Sequence, residues 1–255
     1  PDINYGEGAF SVDHGNIRYG LTAIKSLGRP VIEAIIRERN LNGPYRDFKD
    51  LVERLSSKEI NKRTVENLIK SGALDCFHVT RKQQMLVYAS VIDSIQKERK
   101  NEIAGQMSLM DLLGEEDQQS FQISYPDVGE YEKEQKLAME KEVLGIYVSG
   151  HPLEDDIERL ERSVTAHTSD FVIDEETGKT KIHDRESCII GGLISEMSVK
   201  LTKKNQNMAF ITLEDLRGTV EVVVFPRQYA TYQSLLRALV AVKASADTVN
   251  EPIAK

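Results

Sequence analysis

The spacing of apolar residues changes along the chain, from every third or fourth position in most of it to every second position near the end. The first spacing is typical of amphipathic helices and the second of half-buried strands. A β-hairpin, a series of helices and a final group of strands are therefore predicted. The predicted helices span about 30–39, 47–55, 64–71, 81–99, 131–144, 153–160 and 226–236, and the predicted strands span 10–12, 17–19, 189–197, 208–213, 219–225 and 238–242.

A tight turn at Lys25-Ser26-Leu27-Gly28 separates two short helical patterns early in the chain. Pro30 suits the first turn of the second helix, because its missing N–H would be unpaired there in any case. Gly28 is predicted to supply the backbone freedom that the turn needs. The free N–H groups at the start of that helix, flanked by Lys25 and Arg29, form a candidate site for an anion such as phosphate.

A second pair of helices, at 47–55 and 64–71, repeats this outline without a glycine hairpin. Two helix–hairpin–helix units in tandem normally pack as one compact four-helix module. The long amphipathic helix at 81–99 is predicted to pack on that module.

The segment that follows is polar, acidic and interrupted by glycine and proline, so it is predicted to be a flexible linker. It contains a small apolar island, Gln106-Met107-Ser108-Leu109-Met110. Short apolar islands in flexible linkers are candidate docking peptides.

Three meandering strands, a helix and further strands form the order of an OB barrel. The predicted fold class is therefore multidomain, with a helical tandem helix–hairpin–helix module followed by a C-terminal all-β OB-fold barrel. Its fifth strand would start near Asn250, so the barrel is expected to be incomplete. The predicted domains are the helical module with its β-hairpin and long helix at 1–104, the linker at 105–130, a connecting helical segment at 131–184 and the OB domain at 185–255.

The net charge of −8 is unevenly distributed. Residues 1–100 carry about +4, residues 101–180 about −14 and residues 181–255 about +2. The two ends can therefore approach a polyanion that the middle would repel.

Several function classes are disfavoured by what the sequence lacks. No apolar run approaches the ~20 residues that a membrane span needs, and the five histidines show no metal-ligand spacing. Cys76 and Cys188 are predicted to be free thiols in a reducing compartment. We therefore expect a cytoplasmic binding platform with no active site, metal or cofactor of its own.

Three stretches of the sequence resemble one protein family, the alpha subunits of bacterial DNA polymerase III. The first is IRYGLTAIKSLG (17–28) with INKRTVENLIKSGALD (60–75), similar to the tandem helix–hairpin–helix of that family. The second is EKEVLGIYVSGHPLEDD (140–156), and the third is MAFITLEDLRGTVEVVVFPRQY (208–229), which looks like the OB domain of the family. The resemblance covers nearly the whole chain and places it in the C-terminal third of such subunits, in the class without a built-in proofreading exonuclease.

The first hairpin departs from the family pattern at one position. The family usually has glycine on both sides of the apolar residue, whereas Ser26 occupies the first of these positions here. Serine disfavours a positive φ angle and limits close approach of a ligand to the backbone.

The resemblance implies a non-catalytic part of a replicative DNA-directed DNA polymerase that holds duplex DNA near the polymerase. Contacts to phosphates position a duplex without reading its sequence, which suits an enzyme that copies any template. Paired Mg²⁺ ions are expected only in the catalytic domains of the family, outside this chain. The residues expected to bind duplex DNA at the two hairpins are Lys25, Ser26, Leu27, Gly28, Arg29, Lys58, Lys62 and Arg63.

The apolar island is similar to the short peptide by which these polymerases hold the sliding clamp. Gln106 would hydrogen-bond at the rim of a pocket on the clamp, and Leu109 and Met110 would fill apolar subsites. Met107 and Ser108 complete the peptide.

The OB domain of the family suggests contacts to single-stranded DNA. Lysine and arginine side chains would follow the backbone, and an aromatic ring can stack on a base. The alternation along the strand groups Phe210 with Met208 and Thr212, so each phenylalanine also fits the core, which the pattern favours. The candidate residues are Lys200, Lys203, Lys204, Phe210, Arg217 and Phe225.

Two other classes of function remain open. A protein-interaction scaffold of the replisome with little direct DNA binding is favoured by Ser26 and by the modest basic charge, and opposed by the cations at the hairpins. A free-standing nuclease or ligase is opposed by the lack of clustered carboxylates. The expected partners are duplex and single-stranded DNA, the sliding clamp and other replisome subunits.

Overall fold

The computed structural model describes residues 1–55, 60–103, 123–174, 178–236 and 239–245. The chain divides into two compact units, Pro1–Ser149 and Gly150–Lys255. The first unit is helical and the second contains the large β-sheet, so the predicted fold class is confirmed. Among the described residues, no helix has both the length and the apolar character needed to traverse a lipid bilayer.

The helical unit opens with a two-stranded antiparallel ribbon, which is followed by helices at the positions that the apolar spacing predicts. A short 3₁₀ turn at Leu21–Ala23 links the ribbon to the first helix. The elements are β1 (Ser11–Asp13), β2 (Asn16–Arg18), α1 (Arg29–Asn42), α2 (Phe48–Arg54), α3 (Lys62–Lys70), α4 (Arg81–Ile103) and α5 (Lys133–Leu144).

Capping residues fix where these helices begin and end. The Asp47 carboxylate accepts a hydrogen bond from the N–H of Asp50 at 2.8 Å at the start of α2. The Asn61 side-chain oxygen accepts from the N–H of Thr64 at 3.0 Å at the start of α3. Both bonds satisfy N–H groups that have no partner within the helix. Gly145 ends α5 in the left-handed conformation, with φ 80°.

The core of this unit gathers apolar side chains from the 3₁₀ turn and from all five of these helices. Leu27, the apolar residue of the first hairpin, is only 8% exposed and belongs to this core. The hairpin is therefore anchored from inside the unit. The largest fully buried side chains include Leu21, Ile24, Ile35, Phe48, Leu51, Leu68, Ile69, Leu74 and Ile92.

A buried ion pair joins α4 to α5. The Arg81 guanidinium donates to the Glu140 carboxylate at 2.9 Å, and the two side chains are 4% and 0% exposed. Arg81 also donates to Asp75 at 2.8 Å. The second oxygen of Glu140 accepts from the N–H groups of Val148 and Ser149, at 2.8 and 2.9 Å. Glu140 therefore holds the last residues of the helical unit in place.

The elements of the second unit are α6 (Ile157–Ser163), β3 (Ser187–Leu201), β4 (Asn207–Glu214), β5 (Thr219–Val224), α7 (Pro226–Tyr232) and β6 (Leu239–Ser245). These four strands form an antiparallel sheet with the order β5-β4-β3-β6. The final strand pairs back onto the first half of β3, after a helix that follows β5. This is the arrangement of the first four strands of an OB barrel, and within the described residues the sheet is open.

The long strand β3 pairs with two different strands along its length. Residues up to Leu193 pair with β6, and residues from Leu193 onward pair with β4, with a register shift between Ile194 and Glu196. Gly192 lies where the chains cross closely, since a Cβ there would overlap the carbonyl of Glu214. The predicted end of this strand at residue 197 was wrong, because β3 continues to Leu201 and leaves a short turn before β4.

Candidate nucleic-acid interface

The first hairpin lies between the 3₁₀ turn and α1, and its strained residue is Ser26. Ser26 has φ 64°, whereas Gly28 has φ −73° and ψ 147°, which any residue can adopt. The prediction that Gly28 supplies the backbone freedom was therefore wrong. The left-handed residue is Ser26, at the position where the family pattern has glycine, and a side chain there costs about 1 kcal/mol.

The backbone N–H groups of the hairpin differ in their availability to an anion. Lys25 donates its N–H to the carbonyl of Val143 at 2.8 Å, and Leu27 donates to Ile24 at 3.2 Å. No described residue accepts from the N–H groups of Gly28 and Arg29, which open α1. The side chains of Lys25 and Arg29 are exposed beside them. An anion here would meet two free N–H groups and two cations.

The second hairpin presents its cations at the start of α3. Lys62 and Arg63 are exposed in the first turn of that helix, and the Lys62 ammonium lies 2.7 Å from the Asp93 carboxylate. Lys58 lies outside the described residues. The Asn67 amide of α3 donates to the carbonyl of Lys25 at 2.7 Å, so the two hairpins are linked by a direct hydrogen bond.

The candidate clamp peptide, 106–110, lies outside the described residues, but the chain on both sides of it is held in the helical unit. Before it, the Arg99 guanidinium donates to the carbonyl of Leu55 at 2.9 Å. After it, the Gln83 side chain donates to the carbonyl of Pro126 at 2.9 Å. The Glu130 carboxylate accepts from the N–H of Arg81 at 3.1 Å, at the start of α4. The segment is thus tethered at both ends to one unit.

The OB sheet presents an aromatic and basic face on the side away from its core. Ala209 and Ile211 of β4 point inward and are fully buried. The alternate residue Phe210 is partly exposed, and the Lys200 ammonium lies 4.8 Å from the centre of its ring. Phe225, which follows β5, is 62% exposed. The sequence pattern favoured the core for both phenylalanines, and this was wrong, because neither belongs to a core cluster.

The strand register brings further residues onto this face. Ser198, Phe210 and Val223 lie side by side across β3, β4 and β5. Val223 is 37% exposed. Sequence reasoning did not select Val223 or Met208, although the same alternation that placed Phe210 would have found them.

Three of the candidate cations lie on turns of the OB sheet. Lys203 and Lys204 are exposed in the short turn between β3 and β4. Arg217 is exposed in the β4–β5 turn, where its N–H donates to the Asp215 carboxylate at 2.7 Å. Burial opposes ionisation of Asp215, but hydrogen bonds from Thr168, Arg217 and Gly218 outweigh it and lower the pKa of this carboxyl. The charged Asp215 therefore fixes the turn that carries Arg217.

Sequence reasoning missed the most buried charged side chain among the described residues. Acidic residues of a charged helix such as α5 usually face solvent, yet Glu140 is fully buried. The signal was its spacing, because Glu140 lies three residues after Leu137 and four before Leu144, both on the buried side of α5. Within the described parts of the chain, no group of three or more His, Cys, Asp or Glu side chains could hold a metal ion.

Comparison with known proteins gives two results. Residues 1–84 match a family described as a helix-hairpin-helix motif. Over 240 residues, or 92% of the chain, the sequence is 36% identical to the DNA polymerase III subunit alpha of Borreliella burgdorferi. It is 35% identical to the subunit of the same name from Escherichia coli over 237 residues, and 33% identical to that of Mycobacterium leprae over 232 residues. The chain spans about a fifth of the length of these relatives.

Proposed function

We propose that this chain, whose homologues over nearly its whole length are alpha subunits of DNA polymerase III, is the DNA-tethering and clamp-docking part of such a polymerase. The match to a helix-hairpin-helix motif supports DNA binding by the helical unit. We expect nucleotide addition and its Mg²⁺ ions to belong to other parts of such a polymerase, and we expect the protein to act in the bacterial cytoplasm.

The duplex-binding proposal rests on the groups found at the start of α1. There the N–H groups of Gly28 and Arg29 have no acceptor among the described residues, and the exposed side chains of Lys25 and Arg29 lie beside them. Oriented N–H groups and cations together suit a phosphate of the DNA backbone. Lys62 and Arg63 add a second cationic grip, whose distance from the first is fixed by the bond between Asn67 and Lys25. Two grips on one rigid unit hold a duplex without sequence preference.

Replacing Lys25 and Arg29 together by alanine is expected to weaken duplex binding and to reduce its salt dependence. Each lost phosphate contact lowers the slope of log K against log salt by about 0.9, so the slope should fall by about 1–2 units. The measurement is a titration of a short duplex, at several salt concentrations, with this chain.

The matched control is Arg159→Ala/Arg162→Ala, which removes the same charge from two exposed side chains of α6 in the other compact unit. If the control lowers the slope as much, the contact is only a general charge effect and the hairpin assignment is wrong. If no binding is detected at ~50 mM salt, where phosphate contacts are still strong, duplex tethering is wrong and the scaffold alternative is supported.

The anchoring of the chain on both sides of residues 104–122 supports the assignment of 106–110 as the clamp peptide. Both flanks are bonded into the helical unit, through Arg99 on one side and through Pro126 and Glu130 on the other. The peptide begins three residues after the end of α4 at Ile103. Because both described flanks belong to the unit that carries the hairpins, a clamp bound to the peptide would be linked to the DNA-binding unit through the same chain, at high effective concentration.

Replacing Leu109 and Met110 together by alanine is expected to lower the affinity of the chain for the bacterial sliding clamp by about tenfold or more. Two apolar side chains would no longer fill their subsites, and each buried side chain of this size is worth about 1.5–3 kcal/mol. The matched control is Leu112→Ala/Leu113→Ala, an apolar pair just beyond the peptide. Equal losses in the two variants, or no loss in either, would remove the clamp assignment.

The outer face of the OB sheet is proposed to contact single-stranded template. Phe210 with Lys200 at its ring, and the exposed Phe225, offer stacking surfaces, and the cations Lys203 and Lys204 lie in the turn that joins β3 to β4. Stacking accepts any base, so this face also suits a polymerase that reads every sequence.

A further inference from the structure

The β1–β2 ribbon turns its apolar face outward. Val12 and Ile17 are directly opposite each other, and they are 78% and 76% exposed. Phe10 extends the same face by one step of the strand and is 54% exposed. Antiparallel sheets in water normally expose their polar face and bury the apolar one. This ribbon, in the structure of the chain alone, does the opposite.

The polar face of the ribbon is occupied by contacts within the ribbon and with the residues before it. The Arg18 guanidinium pairs with the Asp13 carboxylate and lies 4.0 Å from that of Asp2. It also lies 5.5 Å from the centre of the Tyr5 ring. The single cation of the ribbon is therefore already paired, and the exposed face carries no charge. A polyanion such as DNA has nothing to bind on this face.

The ribbon is fixed firmly to the helical unit at its base. The N–H of Leu21 donates to the carbonyl of Glu7 at 2.8 Å, and the N–H of Thr22 donates to Gly8 at 3.0 Å. The buried Arg39 donates to the carbonyls of Ile3 and Gly6, at 3.1 and 2.9 Å. These bonds hold the strand that leads into the ribbon, so its apolar face is presented in a defined place.

The apolar face continues into the core of the unit. The ring of Phe10 contacts the ring of Tyr19 edge to face, with 4.5 Å between the centres, and Tyr19 packs against the core. Phe10, Val12 and Ile17 together expose an area on the order of a few hundred Å², the size at which apolar patches mark interaction sites. A two-stranded ribbon is marginal by itself in water and gains stability from packing on one face.

We propose that this face is a docking surface for an apolar segment of the same polymerase polypeptide, from the part that lies outside the present sequence. The inference rests on the proposed function, that the chain is part of a polymerase alpha subunit. The relatives are about five times as long as this chain, so a large part of each lies outside the matched region. A segment of the same polypeptide is also present at high effective concentration, which favours it over a free partner.

The test places a photo-crosslinking phenylalanine at Val12 in the full-length polymerase and maps its products by mass spectrometry. Crosslinks are expected within the same polypeptide, to residues outside this 255-residue sequence. The same residue placed at Leu86, an exposed apolar position on α4, serves as the control and should give far fewer such products. Products with DNA, with a second copy of the polymerase or with another protein, or no enrichment over Leu86, would overturn the proposal.

A second measurement covers the case in which the crosslinker disturbs folding. In the full-length polymerase, Val12→Lys/Ile17→Lys is expected to lower the thermal midpoint by several degrees, and in the 255-residue chain it should change the midpoint little. Equal shifts in both proteins would contradict docking. Duplex binding by the unsubstituted 255-residue chain reports separately on the hairpins, so the proposed function and this inference can fail independently.

Discussion

Replacing Glu140 by alanine should lower the free energy of unfolding of the helical unit by about 3–5 kcal/mol. The substitution leaves the guanidinium of Arg81, which is 4% exposed, without its partner in the interior. It also removes the acceptor of the N–H groups of Val148 and Ser149. Removing one partner of a buried ion pair leaves the other charge buried without compensation. The resulting loss of stability is far larger than the difference in stability between the intact pair and an apolar replacement of both residues.

The measurement is equilibrium unfolding in urea, monitored by circular dichroism at a wavelength that reports helix content. Glu142→Ala is the matched control, since Glu142 lies on the same helix and its 60% exposed carboxylate bonds Lys70 at the surface. An exposed pair contributes about 0–1 kcal/mol, so the control should be close to the parent chain. If Glu140→Ala costs no more than Glu142→Ala, the ion pair does not hold the unit together.

The same carboxylate predicts how stability depends on pH. Burial opposes its ionisation, but hydrogen bonds from Ser149, Val148 and Arg81 outweigh burial and lower the pKa of Glu140 below its usual value. A carboxyl with a lowered pKa in the folded state stabilises the fold above its usual pKa. That stabilisation disappears as the pH falls through the lowered value. The parent chain should therefore lose more stability between neutral and acidic pH than Glu140→Ala loses.

Periodicity predicted the elements of this protein but not how charges pair in its core. The helices α1 to α5 and the strands β3 to β5 lie where apolar spacing places them, because one buried face sets that spacing. Glu140 is the same residue type as Glu134 and Glu142, which lie on the same helix and face solvent. Its partner Arg81 lies 59 positions away in the chain. The spacing from Leu137 and Leu144 marks Glu140 as a buried position, but no local pattern identifies a partner so distant in the chain.

The β1–β2 ribbon shows a second limit of sequence patterns. Alternation assigns Phe10, Val12 and Ile17 to one face, but it does not say whether that face meets the core or the solvent. Ser26 shows a third limit, since the left-handed residue of a turn is recognisable only when glycine or asparagine occupies it. In both cases the backbone geometry decides, and the residue types alone leave the choice open.

Replacing Phe210 or Phe225 by alanine should weaken binding of single-stranded DNA by about 1–3 kcal/mol each, or roughly 5- to 150-fold. The Lys200 ammonium lies 4.8 Å from the centre of the Phe210 ring. A base that stacks on this ring would therefore have a cation close to it. Phe225 is 62% exposed and needs no rearrangement to accept a base. Single-stranded oligonucleotides of mixed sequence, titrated by fluorescence anisotropy at low salt, give the affinities.

The matched control for these substitutions is Tyr232→Ala on α7. Tyr232 is an aromatic residue that is 52% exposed, and α7 packs through Tyr229 on the cluster of Ala209 and Ile211, on the opposite face of the sheet from Phe210. The control should bind as the parent chain does, because its ring lies on the wrong side of the sheet for a strand bound at Phe210. Lys200→Ala should reduce the salt slope by about 0.7 unit in the same titration, since it removes one cation from the face. Losses of equal size at Tyr232 and at the two phenylalanines would place single-stranded DNA elsewhere, and the outer face would then be a surface for another protein.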